Sequence, residues 1–149
     1  MDASTKRRGG FEFLEHTADA YIAAYGRDLA EAFENAALAM FETMTDTRNV
    51  EPRVEKQVEA EGVDRQALLY NWLEKLLLLF ELDDLLCSRF RIEKIAETEE
   101  GFKLEARVQG EPFKPMKHSQ KVGVKAVTYH RMDIQESRKG VTVKFILDI

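Results

Sequence analysis

Phe102-Lys103-Leu104-Glu105-Ala106-Arg107-Val108-Gln109 alternates apolar and polar residues without a break. Successive side chains of a strand point to opposite faces, so this stretch predicts a strand with one face buried and one in water, the pattern of an antiparallel sheet. Glu99-Glu100-Gly101 immediately before it is a turn that joins it to a strand over residues 90–96, making a hairpin. After it, residues 110–119 hold Pro112 and Pro115 and read as a loop. Val122, Val124 and Ala126 predict the inner face of the next strand, Met132 and Ile134 belong to another, and Ser137-Arg138-Lys139-Gly140 turns into a last strand over residues 141–147. These turns are too short for helical crossovers, so this half of the chain is antiparallel.

The period changes upstream. Residues 11–15 and 19–25 read as strands, and Gly26 ends the second. Asp28, with Glu31 three residues on, has the spacing of a helix N-cap. Leu29, Phe33, Ala36, Met40 and Met44 then recur at three- and four-residue steps, one face of a helix. Residues 54–60 are a weaker strand. Asp64 caps a second helix in which Leu68, Leu69, Trp72, Leu73, Leu76 and Leu77 cover so much of the circumference that it must be buried on a broad front. The predicted fold is α+β: one domain, a largely antiparallel sheet of seven or eight strands, and two main helices packed on one side.

At 149 residues the chain fits one domain with a substantial core. Its net charge of −5 argues against a protein whose main task is gripping a phosphate backbone. The single cysteine, Cys87, excludes an internal disulfide and reads as a buried, inert thiol. Residues 1–10 are polar, carry Lys6, Arg7 and Arg8, end in Gly9-Gly10 and lack an apolar segment; they predict a disordered leader, with the domain over residues 11–149. No stretch is apolar enough to span a membrane, and a cytoplasmic location is the expectation.

The predicted final strand runs into Asp148 and Ile149, which places a side-chain carboxylate beside an α-carboxylate on ordered backbone. Like charges so close call for a cation between them. Asp19, in His16-Thr17-Ala18-Asp19, offers a further carboxylate, and hard oxygen ligands suit Ca²⁺ or Mg²⁺. On spacing alone, a solvated strand end and a turn acid are the simpler reading of Asp148 and Asp19. His16 reads as a histidine bonded to its own turn or as a site residue. Lys125, between Val124 and Ala126, is either a gatekeeper against edge aggregation or a charge aimed at phosphate or another acidic ligand. The 110–119 loop, with its lysines and His118, is long for a small domain. No phosphate-cradling glycine loop, nucleophile elbow or metalloprotease helix is present.

Glu15-His16-Thr17-Ala18-Asp19, the leucine-rich residues 68–77 around Trp72, Val124-Lys125-Ala126-Val127-Thr128-Tyr129-His130 and Ile146-Leu147-Asp148-Ile149 together resemble the archease family, in order and in spacing, over nearly all of the chain after Gly10. The resemblance implies an α+β fold of the strand-helix-strand-strand type. It implies an accessory protein, not an enzyme, that activates the RtcB-type tRNA-splicing ligase by promoting its guanylylation and turnover and broadening its nucleotide use. By position it assigns Asp19, Asp148 and an oxygen of Ile149 to a divalent cation, Ca²⁺ or Mg²⁺, and Lys125, with His16, to activation of the ligase. The family's loop acid near position 114 is Lys114 here, so no metal role is carried over to it, while His118 fits the loop's usual histidine. The ligase is the expected partner, with no strong direct binding of nucleic acid. The alternative is a stand-alone metal-dependent enzyme or a binder of a small phosphorylated compound.

Overall fold

The computed structural model describes residues 7–16 and 19–149. The strand elements are β1 (Arg7–Arg8), β2 (Phe11–His16), β3 (Asp19–Gly26), β4 (Val54–Gly62), β5 (Leu85–Thr98), β6 (Gly101–Pro112), β7 (Ala126–Ser137) and β8 (Gly140–Asp148). Helix α1 (Leu29–Met44) and helix α2 (Arg65–Asp83) interrupt them. The first strand, at Arg7, starts inside the segment whose composition reads as a leader.

Both helices start where the capping residues place them. The Asp28 side chain accepts from the Glu31 amide at 2.9 Å, and Asp64 accepts from the Ala67 amide at 2.8 Å. Each bond satisfies an amide that the first turn cannot pair internally. Glu31 does not return the bond to its cap; its carboxylate accepts from the amide of Arg27, one residue earlier, at 2.8 Å. Asp84 ends α2 in the left-handed region, φ 55°, and its amide donates back to Phe80.

The α+β class and antiparallel pairing hold, and the strands divide into two sheets: β1-β2-β3-β8-β7 and β4-β6-β5. Both helices touch both sheets, so each sheet has helices on one face and the helices lie enclosed between them. The hydrophobic effect gives the reason. Helix α2 is apolar around most of its girth, and a single sheet could cover only one side of it. Trp72, Phe33, Phe41, Leu73, Phe145 and Leu104 form the centre of this core, all fully buried. The Trp72 indole N–H is satisfied by the Phe33 carbonyl at 3.0 Å, which pins α2 to α1.

Three boundaries differ from the sequence expectation. Strand β5 begins at Leu85, directly after α2, and takes Cys87 into the core, where burial pushes its thiol up to about 12. The proline pair does not break β6, which runs on to Pro112 at the Leu85 end of β5. Val122 and Val124 are not in a strand: residues 113–125 are an irregular connection, and β7 begins at Ala126. Val122 is 44% exposed, so alternation there does not report a buried face. No helix among the described residues is long and apolar enough to cross a membrane.

Candidate functional site

Strand β8 lies between β3 and β7, and its last residues gather the sequence-predicted site. Asp19 opens β3 directly opposite Asp148 in the antiparallel register. Ala126, the first residue of β7, is opposite Asp148 on its other side. Lys125 immediately precedes it, and its amide donates to the Asp148 carbonyl at 2.7 Å. One end of one sheet thus assembles residues more than a hundred positions apart.

The face follows from the alternation. Ala20, Ile22 and Ala24 of β3 and Leu147, Phe145 and Val143 of β8 enter the core. Asp19 and Tyr21 therefore share the outer face with Asp148 and Ile146. Directly opposed residues on one face have Cβ atoms about 5 Å apart, and like charges there repel. Asp148 is exposed and Asp19 half-buried, so a cation can reach both. Ile149 follows at once, its side chain packed on the core, which holds its backbone oxygen at the same sheet end. Two carboxylates and a backbone oxygen are a hard-donor set that suits Ca²⁺ or Mg²⁺ and not a soft transition metal. Among the described residues, no three His, Cys, Asp or Glu side chains converge on a common point. Any cation held here therefore draws on backbone oxygen and water as well. The backbone of His16 ends β2 opposite Ala20, across the hairpin from Asp19; its side chain, with Thr17 and Ala18, lies outside the described residues.

A second constellation, of which the sequence pointed only to the 110–119 loop and His118, holds the connection that delivers Lys125. Glu111 is fully buried at the end of β6. Its Oε2 accepts from the Glu51 amide at 2.8 Å, faces Lys117 Nζ at 2.7 Å and lies 3.1 Å from His118 Nε2. Its Oε1 has no hydrogen-bond donor and faces Arg53 Nε at 3.6 Å. Burial alone would raise this carboxyl, but the Glu51 amide, Lys117 and His118 outweigh it and hold it at about 2. The buried His118 ring accepts from the Lys114 amide through Nδ1 at 2.9 Å, so Nε2 carries the proton toward Glu111.

The other half of the clasp is Glu42, in the last turns of α1. Lys121 Nζ reaches its Oε2 at 2.5 Å and its carbonyl at 3.1 Å, and Thr47 donates to Oε1. Burial opposes ionisation of Glu42, but the bonds from Lys121 and Thr47 leave it lowered. The Lys121 amide also donates to the Met44 carbonyl, and Ser119 Oγ accepts from the Asp46 amide. Two loop lysines on two buried carboxylates fix residues 113–125 before the chain enters β7. The signals in sequence are the lysines at 117 and 121, His118 and the acid between Gly110 and Pro112, none of which names its partner. Beneath this loop lies a mostly apolar cavity of about 370 Å³, lined among others by Met44, Phe80, Leu86, Phe113 and Val122; it does not include the carboxylate pair.

The arrangement defines a class: a small α+β protein with a two-carboxylate sheet end, a lysine anchored beside it and, among the described side chains, no nucleophile–base pair there. Comparison with known proteins is specific. The model of the Archease protein family (MTH1598/TM1083) matches residues 11–149. A protein named Protein archease from Sulfurisphaera tokodaii is 46% identical over 93% of this chain and 98% of its own length. One of the same name from Methanothermobacter thermautotrophicus is 46% identical over 94% of this chain and 99% of its own. The solution structure of Methanobacterium thermoautotrophicum protein 1598 superposes with a TM-score of 0.80 at 45% identity, covering 94% of this chain and 99% of that one. The chain belongs to the archease family.

Proposed function

We propose that this protein is an accessory activator of the RtcB-type tRNA-splicing ligase, promoting guanylylation of the ligase and its turnover and broadening its nucleotide use. Membership of the archease family supports an accessory role in tRNA splicing in general. The observation that carries the finer reading is the direct register pairing of Asp19 with Asp148, with the Lys125 amide on the Asp148 carbonyl at 2.7 Å. Asp19, Asp148 and an oxygen of Ile149 hold a divalent cation, Ca²⁺ or Mg²⁺. Such a cation supplies charge neutralisation for a phosphoryl group in transfer. Lys125 adds a mobile positive charge at the edge of the same site, and the Glu111 and Glu42 clasps keep its backbone where the partner meets it. His16, across the hairpin, belongs to the same activating surface.

The protein is not itself an enzyme in this reading: the described side chains of the site supply charge and hard oxygen donors to a reaction that the ligase carries out. It works in the cytoplasm, and contact with tRNA is left to the ligase, consistent with a net charge of −5. The test is guanylylation of the purified ligase with GTP, with and without this protein. A faster reaction that continues when the protein is substoichiometric supports the proposal. An unchanged rate refutes it, and so does GTP turnover by this protein alone.

A further inference from the structure

The elements that carry Asp19 and Asp148 have a counterpart in the other sheet. Strand β3 ends at Gly26, Asp28 caps α1, and β3 pairs with the second strand of the β7–β8 hairpin. Strand β4 ends at Gly62, Asp64 caps α2, and β4 pairs with the second strand of the β5–β6 hairpin. The two hairpins turn alike. Thr98 Oγ1 accepts from the Glu100 amide at 3.3 Å and Ser137 Oγ from the Lys139 amide at 3.2 Å, and Gly101 and Gly140 follow with the same φ of 137°. Gly26 opposite Val141 corresponds to Gly62 opposite Phe102. The same count of residues from those pairs leads to Asp19 opposite Asp148 in one sheet and to Glu55 opposite Gln109 in the other.

The counterpart is inverted in charge. Gln109 Nε2 donates to Glu55 Oε1 at 3.5 Å, an amide–carboxylate pair free of the repulsion between two acids. Arg89 of the edge strand β5 is opposite Gln109 on its other side, and in the next row Arg91 is opposite Arg107. Phe90 and Ile92 pack on the core, so Arg89 and Arg91 share the outer face. Like charges directly opposed across a sheet repel, and here they are cations. Arg107 is drawn to Glu55 at 3.6 Å and to Glu93 at 3.3 Å. Among the described residues, the Arg89 and Arg91 side chains form no ion pair, hydrogen bond or ring contact. Glu34 senses the charge of Arg91, but its carboxylate accepts from the Ile92 amide at 2.7 Å and forms no ion pair with it. Arg89, Arg91, Arg107 and Gln109, with Glu55 and Glu93, line one surface depression of about 510 Å³.

We propose that this depression is a binding site for a phosphate monoester group, held by Arg89 and Arg91. Two unpartnered guanidiniums call for a dianion. A carboxylate would neutralise one of them, whereas a phosphate monoester carries close to two charges above pH 7. The two-residue step along β5 sets the two Cβ atoms about 7 Å apart, so both long side chains can converge on one group. Arginine matches phosphate oxygens bidentately, which a lysine would not. Glu55 and Glu93, only partly offset by Arg107, border the depression and disfavour an extended polyanion. The inference stands on this sheet alone and does not rest on a cation at Asp19 and Asp148.

The experiment is a titration of the full chain with inorganic phosphate at pH 7.5 and constant ionic strength, followed by amide NMR, with acetate as the monoanion control. The wild-type resonances of Arg89, Arg91 and Gln109 should shift saturably with phosphate, and acetate should bind more weakly. Arg91→Gln should weaken phosphate binding about fivefold or more, while Lys103→Gln, the same charge change elsewhere on this face, should stay within about twofold. Without phosphate, Arg91→Gln should melt no lower than wild type, because it relieves the opposed pair. Guanosine 5′-monophosphate and a short RNA, with and without a 5′-phosphate, decide the source. Monophosphate bound as tightly as inorganic phosphate assigns the site to a small nucleotide, and tighter binding of the 5′-phosphorylated RNA assigns it to an RNA end; either supports the site if the Arg91 dependence holds. RNA bound equally with and without its terminal phosphate overturns the proposal. So do shifts that do not saturate, acetate bound as tightly as phosphate, or Lys103→Gln as damaging as Arg91→Gln. A lower melting temperature of Arg91→Gln with phosphate binding unchanged would assign the arginine to the fold instead.

Discussion

Glu111→Gln removes one negative charge from the most enclosed carboxylate of the fold and leaves its size unchanged. Three donors converge on this side chain: the Glu51 amide, Lys117 Nζ and His118 Nε2. Hydrogen bonds to a charged partner are worth about 1 kcal/mol more than neutral ones, so neutralising the acceptor forfeits about 3 kcal/mol across the three. The lowering of the carboxyl from 4.5 to about 2 corresponds to a differential interaction of the same order, about 3 kcal/mol. Lys117 is partly exposed and also pairs with Glu51 at 2.6 Å, so it recovers part of that loss. The expected destabilisation is about 2–3 kcal/mol, a fall in Tm of roughly 5–10 °C for a domain of this size. The assay is thermal unfolding at pH 7, followed by ligase activation at a temperature where the variant remains folded. Activation should fall, because the loosened 113–125 connection no longer holds Lys125 against Asp148, while affinity for calcium at Asp19 and Asp148 stays near wild type. A Tm within about 1 °C of wild type would refute the energetic reasoning. Normal activation by a strongly destabilised variant would refute the positioning role.

The pH dependence follows with the same sign. The folded Glu111 carboxyl lies below its unfolded value of 4.5, so its stabilisation is complete above pH 4.5 and is lost as pH falls from 4.5 toward 2; urea unfolding across this window should show a steeper loss in wild type than in Glu111→Gln. Asp148→Asn should weaken Ca²⁺ binding about tenfold or more by calorimetry, since it removes one of two opposed carboxylates, and equal affinity would dismiss the site. Lys125→Ala should melt within about 0.5 kcal/mol of wild type, because the side chain is exposed and its anchoring amide remains, yet lose ligase activation. A sharp drop in stability with activation intact would mark Lys125 as a packing or gatekeeping residue instead.

The sequence carries the helices and most strands plainly, because local chemistry sets them. Asp28 and Asp64 cap where their spacing places them, and the Phe102–Gln109 alternation is a strand with one buried face. The division into two sheets is not legible, since it depends on which strand each hairpin joins, and nothing in β4 names β6. Val122 misleads for the opposite reason: it sits at strand spacing in a segment held by lysine–carboxylate ties. Asp19 and Asp148 are recognisable as candidates from the chain, but only the β3–β8 register makes them neighbours. Glu111 and Glu42 are indistinguishable from surface acids until burial is known.

The central claim is that this small acidic protein activates a ligase catalytically through the Asp19–Asp148–Lys125 end of one sheet. The most direct measurement is guanylylation of the purified RtcB-type ligase by GTP, with this protein at one tenth of the ligase concentration. The account predicts modification that proceeds well beyond one equivalent per molecule of this protein, and that returns to the unassisted rate with Asp148→Asn or Lys125→Ala. Modification that stops at one equivalent, or that proceeds equally with both variants, would contradict it.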